Sequence, residues 1–297
     1  MKTVLIVALN PSIDAEWRVD DVLWEEKNNV RSEVRWAGGK GINVTRWISH
    51  LGHKARLIVP LGGRAGSELA THLHAEKISP RRISIHDETR VNVIVTTDAG
   101  RQMRFNPLGP KMTSDEWSET LRLVKRVMPQ TSLLILTGSL PRGVSIDAYE
   151  KLTRIAHGHA VKTLLDCDGA PFAAAIRARP FLVKPNEHEL GLWFGKPLRD
   201  GKAIMSAAKS LSRETQGWVL VSCGGKPSHL IHSIKGMALT RKPEKIRPIN
   251  TVGAGDALLA GAAAEIIKGS APVRWLERGI EIGTAATQLR AGKLPQS

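Results

Sequence analysis

Short apolar runs recur along the chain and predict the buried strands of one sheet. They cover residues 4–9, 56–61, 133–136, 162–166, 181–184 and 218–222. The later runs are separated from one another by stretches with helix-like patterns, and strands that alternate with helices are typical of a parallel sheet. The pattern therefore predicts an α/β fold with helices on both faces of the sheet.

Apolar spacing also predicts where helices begin and end. Ile42, Val44, Trp47 and Leu51 follow helical spacing, and Gly52 ends the pattern. By the same criterion we predict helices over 66–76 and 257–268.

Two more polar segments interrupt the apolar runs. Residues 12–36 and 88–106 have the partly alternating pattern of half-exposed strands, so they could pair as a small separate sheet. No linker or fixed-period repeat is visible. We therefore expect one domain over residues 1–297, with the strands of a lid inserted at about 12–36 and 88–106.

Composition places the chain among soluble globular proteins, with 42% hydrophobic and 24% charged residues in 297. Two cysteines, Cys167 and Cys223, cannot build a disulfide framework or a four-cysteine zinc site, which favours the reducing cytoplasm. The first apolar run is too short for a signal peptide, and no run approaches the roughly 20 residues that cross a bilayer. We therefore expect no membrane association.

The net charge of +15, from 43 Lys and Arg against 28 Asp and Glu, favours anionic partners such as nucleotides, sugar phosphates or nucleic acids. The basic residues are spread along the chain without a polybasic arm. Aromatic residues make up only 4% and are scattered, which does not indicate a stacking platform for nucleic acid. A solvated basic surface is favoured over nucleic-acid binding.

The most informative segment is the glycine loop NTVGAGD at 250–256, which precedes an apolar helix. Glycines allow a tight turn, and the unpaired N–H groups at a helix start form an anion cradle. Asp256 in the first turn can stabilise the helix or act as a general base beside a bound phosphoryl group. A Walker loop is excluded, because no Gly-Lys pair precedes Ser or Thr, and a Rossmann glycine fingerprint is absent. Asp166 and Asp168 bracket Cys167 at a strand end, and their spacing assigns them no catalytic role.

Five segments in order resemble the ribokinase-like, or PfkB, carbohydrate kinases, over nearly the whole chain. They are AGGKGINVTR at 37–46, TGSLPRG at 137–143, VKPNEHE at 183–189, SCGG at 222–225, and NTVGAGD at 250–256 with Ala260-Gly261. The sequence is most similar to the branch of phosphofructokinases and tagatose-6-phosphate kinases. The resemblance implies a three-layer α/β/α fold with a mostly parallel central sheet and a small β-sheet lid.

In this family the γ-phosphate of ATP moves to a sugar hydroxyl. The resemblance makes Asp256 the base and gives Gly253, Ala254 and Gly255 the anion hole. It implies Mg²⁺ bound with ATP, organised by Asn186 and Glu189 through water. For Glu189 the alternative is an ordinary carboxylate in the first turn of a helix.

The resemblance also implies a set of nucleotide contacts, at Lys184, Asn186, Ser222, Gly224, Gly225 and Thr251. Pro227 departs from the family, standing where the glycine loop usually has its last glycine. Proline fixes φ and removes a donor, which puts the geometry of that loop and the nucleotide preference in question.

On the sugar side the resemblance assigns Asp14 to the sugar hydroxyls and places Gly38, Gly39, Asn43 and Ser139 around the substrate. For Asp14 the alternative is a turn residue after Asn-Pro.

A second substrate phosphate is implied by similarity at Arg90 and Arg104, since guanidinium groups bind phosphate bidentately. Lys27 is a third candidate and Lys40 a weaker one, and either arginine could instead face solvent. Asn29 stands where phosphosugar kinases of the family commonly have Arg, and Arg31 could take that part.

The expected function is phosphorylation of a ketohexose monophosphate, with fructose 6-phosphate as the first choice. Alternatives are 1-phosphofructokinase or tagatose-6-phosphate kinase, a kinase of an unphosphorylated sugar or nucleoside, and a non-catalytic binder of nucleotide, sugar phosphate or nucleic acid. By resemblance we also expect a cytoplasmic homodimer joined through its lids. Asn250 replaces the usual Asp or Ser where relatives can bind a monovalent cation, so potassium activation stays open.

Overall fold

A computed structural model describes residues 3–290 and 292–295. The strands are β1 (Thr3–Val7), β2 (Ser12–Val19), β3 (Ser32–Gly38), β4 (Ala55–Leu61), β5 (Arg81–Ser84), β6 (Arg90–Thr97), β7 (Gln102–Phe105), β8 (Thr131–Thr137), β9 (Lys162–Asp166), β10 (Leu182–Val183), β11 (Trp218–Val221), β12 (Ser228–His232) and β13 (Met237–Arg241). The helices are α1 (Lys40–His50), α2 (Gly63–Ala75), α3 (Ser114–Val127), α4 (Ala148–His157), α5 (Gly169–Ala175), α6 (Glu187–Phe194), α7 (Gly201–Thr215), α8 (Ala254–Lys268) and α9 (Pro272–Ala286).

The large sheet has the strand order β13-β12-β11-β10-β9-β8-β1-β4-β5. Its strands run parallel except at the β11–β12 and β12–β13 pairs, which are antiparallel. This confirms the predicted α/β fold with a mostly parallel sheet. Strands β5, β12 and β13, at the two ends of the sheet, were not predicted.

The chain leaves β1 in two directions, which creates a crevice. Strands β4 and β5 lie on one side of β1, and β8 to β11 lie on the other. In open α/β sheets ligands bind outside the carboxyl ends of the strands where the order reverses in this way. The residues after β1 and β8 are therefore expected to line a site.

Two hydrophobic cores cover the two faces of the sheet. Alternate residues of β1 point to opposite faces, so Val4 and Ile6 join one core while Leu5 and Val7 join the other. Helices α1, α2, α8 and α9 pack on the first core, and α3 to α7 on the second. This layering fixes the first turns of α1 and α8 beside the carboxyl edge of the sheet.

The smaller sheet has the order β3-β2-β6-β7. Asp14 on β2 lies opposite Trp36 on β3 and Asn92 on β6, so these three residues share one face. On the other face, Arg35 forms a bidentate ion pair with Glu68 of α2, at 2.7 and 2.8 Å. That pair ties the smaller sheet to the body of the protein.

Over residues 3–290 and 292–295, the helices are all too short or too polar to cross a membrane.

Candidate active site

The first turn of α8 has the geometry of an anion cradle. Gly253 takes the left-handed conformation at φ +80°, and α8 has no side-chain cap. The first N–H groups of a helix have no partner inside the helix. The N–H of Ala254 makes only a long contact of 3.4 Å with the carbonyl of Thr251, and the first bond of the helix runs from the N–H of Ala257 to the carbonyl of Gly253 at 2.9 Å. The turn can therefore offer N–H groups to a phosphoryl group.

Asp256 lies in this turn with 5% of its surface exposed. Asn43 of α1 donates a hydrogen bond from Nδ2 to Oδ2 of Asp256 at 2.9 Å. Arg46 donates to the other end of the same amide, from Nη1 to Oδ1 of Asn43 at 3.1 Å, which fixes the amide so that its NH₂ group faces Asp256. Arg46 itself is buried and paired bidentately with Glu76, at 2.6 and 2.7 Å. The orientation of the carboxylate of Asp256 is thus built into the helix packing.

A buried cluster of charges stands beside Asp256. Asp166, at the carboxyl end of β9, accepts a hydrogen bond from Nζ of Lys40 at 3.2 Å and lies 3.3 Å from Nζ of Lys184. The second contact is an ion pair without the alignment of a hydrogen bond. The two ammonium groups outweigh the effect of burial and hold the pKa of Asp166 below its ordinary value.

Burial and, after it, the carboxylate of Asp166 raise the pKa of Asp256 to about 6, against the opposing effect of Lys40, Asn43 and Lys184. A carboxylate with this pKa is mostly ionised at neutral pH and is still basic enough to accept a proton during a reaction. The predicted base thus has the electrostatics of a general base.

The crevice at the strand reversal contains a cleft of about 250 Å³. Its lining includes Asn10 and Pro11 after β1, Gly39 and Lys40 at the start of α1, Arg90, Asn106, Thr137, Gly138 and Ser139 after β8, and Asp168 after β9. We call this the carboxyl-edge cleft. Asn10, Arg90 and Thr137 in this lining each carry a buried polar atom, Oδ1, Nε and Oγ1 respectively, without a partner in the described chain.

The predicted sugar residues meet at the end of β3. A Cβ on Gly38 would overlap the carboxylate of Asp14, so the close approach requires glycine. Oδ1 of Asp14 accepts hydrogen bonds from Ser12 and Asn92, both at 2.8 Å. Burial raises the pKa of Asp14 despite these bonds.

Asp14 and the start of α8 share a second, narrow cavity of about 30 Å³. Asp14, Asn43 and Gly253 line it together with residues of the chain end, among them Lys293 and Leu294. The cavity links the predicted sugar carboxylate with the turn that holds Asp256.

The residues predicted for a second phosphate do not all come together. Arg90 lines the carboxyl-edge cleft and donates to two backbone carbonyls, at Pro107 (3.0 Å) and Asn10 (2.9 Å). Ser139 lines the same cleft and accepts a hydrogen bond from Asn10 at 3.0 Å. Arg104 is exposed on β7, outside the lining of this cleft, and donates to Gln102.

The loop between β2 and β3 carries Lys27, which is exposed and forms no ion pair within the described ranges. The same loop carries Asn29. Arg31 could replace the arginine that relatives have at the position of Asn29, and it forms ion pairs with Asp20 and Asp98.

Asn186 and Glu189 form a capping box at the start of α6. Asn186 Oδ1 accepts from the N–H of Glu189, and Oε2 of Glu189 accepts from the N–H of Asn186, both at 2.8 Å. The other oxygen of Glu189 lies 3.8 Å from Nζ of Lys40. Glu189 therefore caps its helix, as the alternative interpretation predicted, and its other oxygen faces the charge cluster, while its role toward a metal stays a prediction.

The other predicted nucleotide residues lie along the same edge. Ser222 follows β11 and bridges to Asn186, and Gly224, Gly225 and Thr251 are exposed. Lys184 approaches the first turn of α8, since a Cβ on Gly255 would lie 3.5 Å from its Nζ.

Pro227 directly precedes β12, where a residue without an N–H is tolerated. The turn before it is closed by a bond of 3.0 Å from the N–H of Lys226 to the carbonyl of Cys223. The departure at Pro227 therefore leaves a well-formed turn.

Sequence reasoning missed several residues of the site. Asp166 and Asp168 were dismissed, and Asn10, Arg46, Asn92 and Asn106 were given no role. Asp166 could have been found, because it ends a predicted strand and carboxyl ends of parallel strands collect functional groups. Arg46 ends the motif at 37–46, but its contact with Asn43 is visible only in the fold.

Cavity size alone does not identify the site. A larger cavity of about 410 Å³ lies at the amino edge of the sheet, lined by residues such as His157, Lys162, Gln216 and Trp218. It contains none of the predicted site residues.

Comparison with known proteins agrees with this geometry. The model of the pfkB family of carbohydrate kinases matches residues 3–296. Phosphofructokinase-2 from Escherichia coli, solved in complex with potassium, superimposes with a TM-score of 0.93 at 28% identity, covering 99% of this chain and 95% of that chain. Other structures of that enzyme contain fructose 6-phosphate or represent its tetrameric inhibited form.

Two more distant structures share the fold. A possible 1-phosphofructokinase from Thermotoga maritima gives a TM-score of 0.85 at 24% identity, covering 99% of this chain and 94% of that chain. Ribokinase from Arabidopsis thaliana, complexed with ribose and ATP, gives a TM-score of 0.81 at 18% identity, covering 98% of this chain and 94% of that chain.

Proposed function

This chain belongs to the pfkB family of carbohydrate kinases, and from this premise we propose that it phosphorylates a ketohexose monophosphate with ATP. Fructose 6-phosphate, converted to fructose 1,6-bisphosphate, is the first choice of substrate. Fructose 1-phosphate and tagatose 6-phosphate are the close alternatives. The protein is a phosphotransferase with a sugar hydroxyl as acceptor.

One observation carries the proposal: Asp256 lies in the uncapped first turn of α8 and is held there by Asn43. A carboxylate that only stabilised the helix would need no partner that orients it and no buried surroundings. Its pKa of about 6 suits a base that works near neutral pH.

In the proposed reaction Asp256 accepts the proton of the acceptor hydroxyl. The oxygen of that hydroxyl bonds to the γ-phosphorus as the bond from this phosphorus to the β–γ bridging oxygen breaks, and ADP leaves with that electron pair. Backbone N–H groups of Gly253, Ala254 and Gly255 stabilise the charge on the transferred group. Lys184 and Lys40 stand beside this turn as further positive charge.

The residues present fit magnesium that arrives with ATP. Mg²⁺ keeps several waters and takes one or two carboxylates plus substrate phosphates. Of the side-chain oxygens of Asn186 and Glu189, only Oε1 of Glu189 takes no part in the capping box. Residues 3–290 and 292–295 contain no cluster of three or more Asp, Glu, His or Cys side chains that could hold a metal ion by themselves. Glu189 and Asn186 would hold the ion through water, and the ion would neutralise phosphate charge.

The carboxyl-edge cleft supports a phosphorylated acceptor. Arg90, Lys40 and Ser139 line it, and E. coli phosphofructokinase-2 has been solved with fructose 6-phosphate. Asp14 and Asn43, with Gly38 and Gly39, would hold the sugar hydroxyls.

The position of Arg104 favours a second candidate, a kinase of an unphosphorylated sugar or nucleoside. Arg104 lies outside the cleft, and both terminal nitrogens of Arg90 already bind carbonyls.

The smaller sheet is proposed to close over the sugar and exclude water, and also to join two chains. Large apolar side chains are exposed around it, including Trp24 (76%), Leu108 (78%), Val34 and Phe105. Exposed apolar side chains of this size are candidates for burial in an interface.

Activation by potassium stays a prediction. The oxygens near Asn250 accept hydrogen bonds from the backbone. Oδ1 of Asn250 accepts from the N–H of Val252, and the carbonyl of Thr287 accepts from Ile249 and Asn250. A cytoplasmic location is favoured by two free, buried thiols, Cys167 and Cys223.

The test is ADP release with MgATP, with and without KCl, against fructose 6-phosphate, fructose 1-phosphate, tagatose 6-phosphate, fructose and ribose. Turnover of one phosphosugar is expected. Turnover of only an unphosphorylated sugar would favour the second candidate, and no turnover of any would contradict the proposed function.

A further inference from the structure

Asp166 lies at the centre of the charge cluster and is fully buried, although no step of the proposed mechanism uses it. Its two partners come from different parts of the fold. Lys40 begins α1, 126 positions away in the chain, and Lys184 follows β10. The carboxylate therefore joins three elements at the edge where Asp256 lies.

A buried ion pair is weak evidence for a role in stability, because apolar replacements of similar volume often serve as well. The position of Asp166 indicates another role. Its neighbour across the sheet is Thr137, which lines the carboxyl-edge cleft, and its backbone carbonyl accepts from the N–H of Gly138 in the same lining. The carboxylate thus stands directly behind the wall of the cleft.

Lysine side chains are flexible and bind as point charges, so their usefulness for a transferred phosphoryl group depends on what holds them. Lys184 is 4% exposed and Lys40 is partly exposed, and each ammonium group is anchored at one end of the same carboxylate. The other carboxylates near Lys40, those of Glu189 and Asp256, are the groups proposed for the metal and for the acceptor hydroxyl.

We propose that Asp166 is a positioning residue that holds the ammonium groups of Lys40 and Lys184 at the reaction centre, beside Asp256. The proposal rests on the proposed function. Asp166 touches neither substrate, so it acts through the two lysines and through its charge on Asp256.

The charged groups that face Asp256 make this role measurable through the pKa of Asp256. Asp166 raises the pKa of Asp256, whereas Lys40 from α1 and Lys184 from β10 lower it. Asn43 is neutral, Arg46 acts through Asn43, and Asp14 lines the shared narrow cavity. From α9, the neighbour of the first turn of α8 is the uncharged Gly283.

The test compares Asp166→Asn with wild type in kcat, KM and pH profile. We expect kcat to fall by about 10- to 100-fold from misplaced lysines, with a smaller change in KM. On the acid side of the pH profile, kcat/KM rises with pH as Asp256 ionises, and we call this rise the acid limb. It should move to lower pH, because the loss of the negative charge of Asp166 lowers the pKa of Asp256. A loss of activity with the limb unmoved would mean a structural role only and would overturn the proposal, as would an unchanged kcat.

Two further variants keep the test decisive. Lys40→Met changes a partly exposed position and should move the acid limb to higher pH, because Lys40 lowers the pKa of Asp256. If Asp166→Asn does not fold, this variant decides. An acid limb that stays in place in Lys40→Met then overturns the proposal. The matched control is Glu265→Gln, since Glu265 is a buried, ion-paired acid at the far end of α8. It should lower stability and leave the limb in place.

A readout without activity separates this proposal from the proposed function. The carboxyl carbon of Asp256 in ¹³C-aspartate-labelled protein, assigned through Asp256→Asn, can be titrated by NMR. A lower titration midpoint in Asp166→Asn supports the charge coupling even if no sugar is phosphorylated, and an unchanged midpoint overturns it.

Discussion

Asn43 donates a hydrogen bond of 2.9 Å to Asp256, although 213 positions separate the two residues in the chain. The bond stabilises the ionised carboxylate, so it opposes the rise in the pKa of Asp256 that burial causes. The first helix of the chain therefore lowers the pKa of the carboxylate on α8 that is proposed as the base.

The acid limb of kcat/KM should have its midpoint near pH 6, because Asp256 must be ionised to accept a proton. Asn43→Asp replaces a donor by a like charge, which raises the pKa of Asp256 and moves the limb to higher pH. Gln216→Glu makes the same chemical change at the opposite edge of the sheet and should leave the profile as it is. A limb that stays in place in Asn43→Asp would contradict the role of this bond.

Arg90 and Arg104 should differ in their effect on the acceptor. Arg90→Lys keeps the charge but loses the planar fork, so KM for the phosphosugar should rise about tenfold or more while KM for ATP is unchanged. Arg104→Lys is the matched variant on the exposed strand and should change KM for the phosphosugar little. Steady-state kinetics with both substrates varied measures the two KM values in each variant. A larger rise in KM for the phosphosugar in Arg104→Lys than in Arg90→Lys would contradict the assignment of Arg90.

Gly38 should be intolerant of a side chain. In Gly38→Ala the new Cβ overlaps the carboxylate of Asp14, and we expect a loss of roughly 100-fold in kcat/KM for the sugar from its displacement. Gly201→Ala is the control, because nothing lies within 4 Å of a Cβ there and the residue begins α7. That variant should keep full activity and gain up to about 1 kcal/mol in free energy of unfolding. Equal kinetics for both variants would show that Asp14 does not need this close approach.

The proposed dimer depends on exposed apolar groups beside the smaller sheet. Trp24→Glu places a charge there and should raise the dimer dissociation constant about tenfold or more, as loss of a central aromatic residue does. Ile234→Glu alters a similarly exposed residue in the turn between β12 and β13. Sedimentation velocity should find that variant unchanged, and a wild-type monomer would refute the interface.

Local patterns predicted the elements that the fold buries. The continuous apolar run of β1 is visible in the sequence because both faces of this strand are buried, and the helical spacing in α1 is visible because one face of that helix is buried. The end strands β5 and β13 carry mostly polar or exposed residues, RRIS and MALTR, so their patterns resemble loops. Their place in the sheet comes from pairing with neighbours.

The site divides in the same way. Motifs contiguous in sequence, such as the glycine loop before Asp256, were predicted by resemblance and lie together at the carboxyl edge. Contacts made only by the fold were not predicted. Asp166 and Lys40 are far apart in the chain, and the exposure of Arg104 depends on which side of the edge strand it occupies.

In the proposed reaction the γ-phosphoryl group moves to a sugar hydroxyl, with Asp256 as the base. The most direct measurement is ³¹P NMR of the products from MgATP and fructose 6-phosphate, with Asp256→Asn in parallel. We predict a second phosphomonoester on the sugar, formed in equal amount to ADP, and a rate about 10²- to 10⁴-fold lower in the variant. Orthophosphate in place of the second ester, or the same rate in Asp256→Asn, would contradict the account.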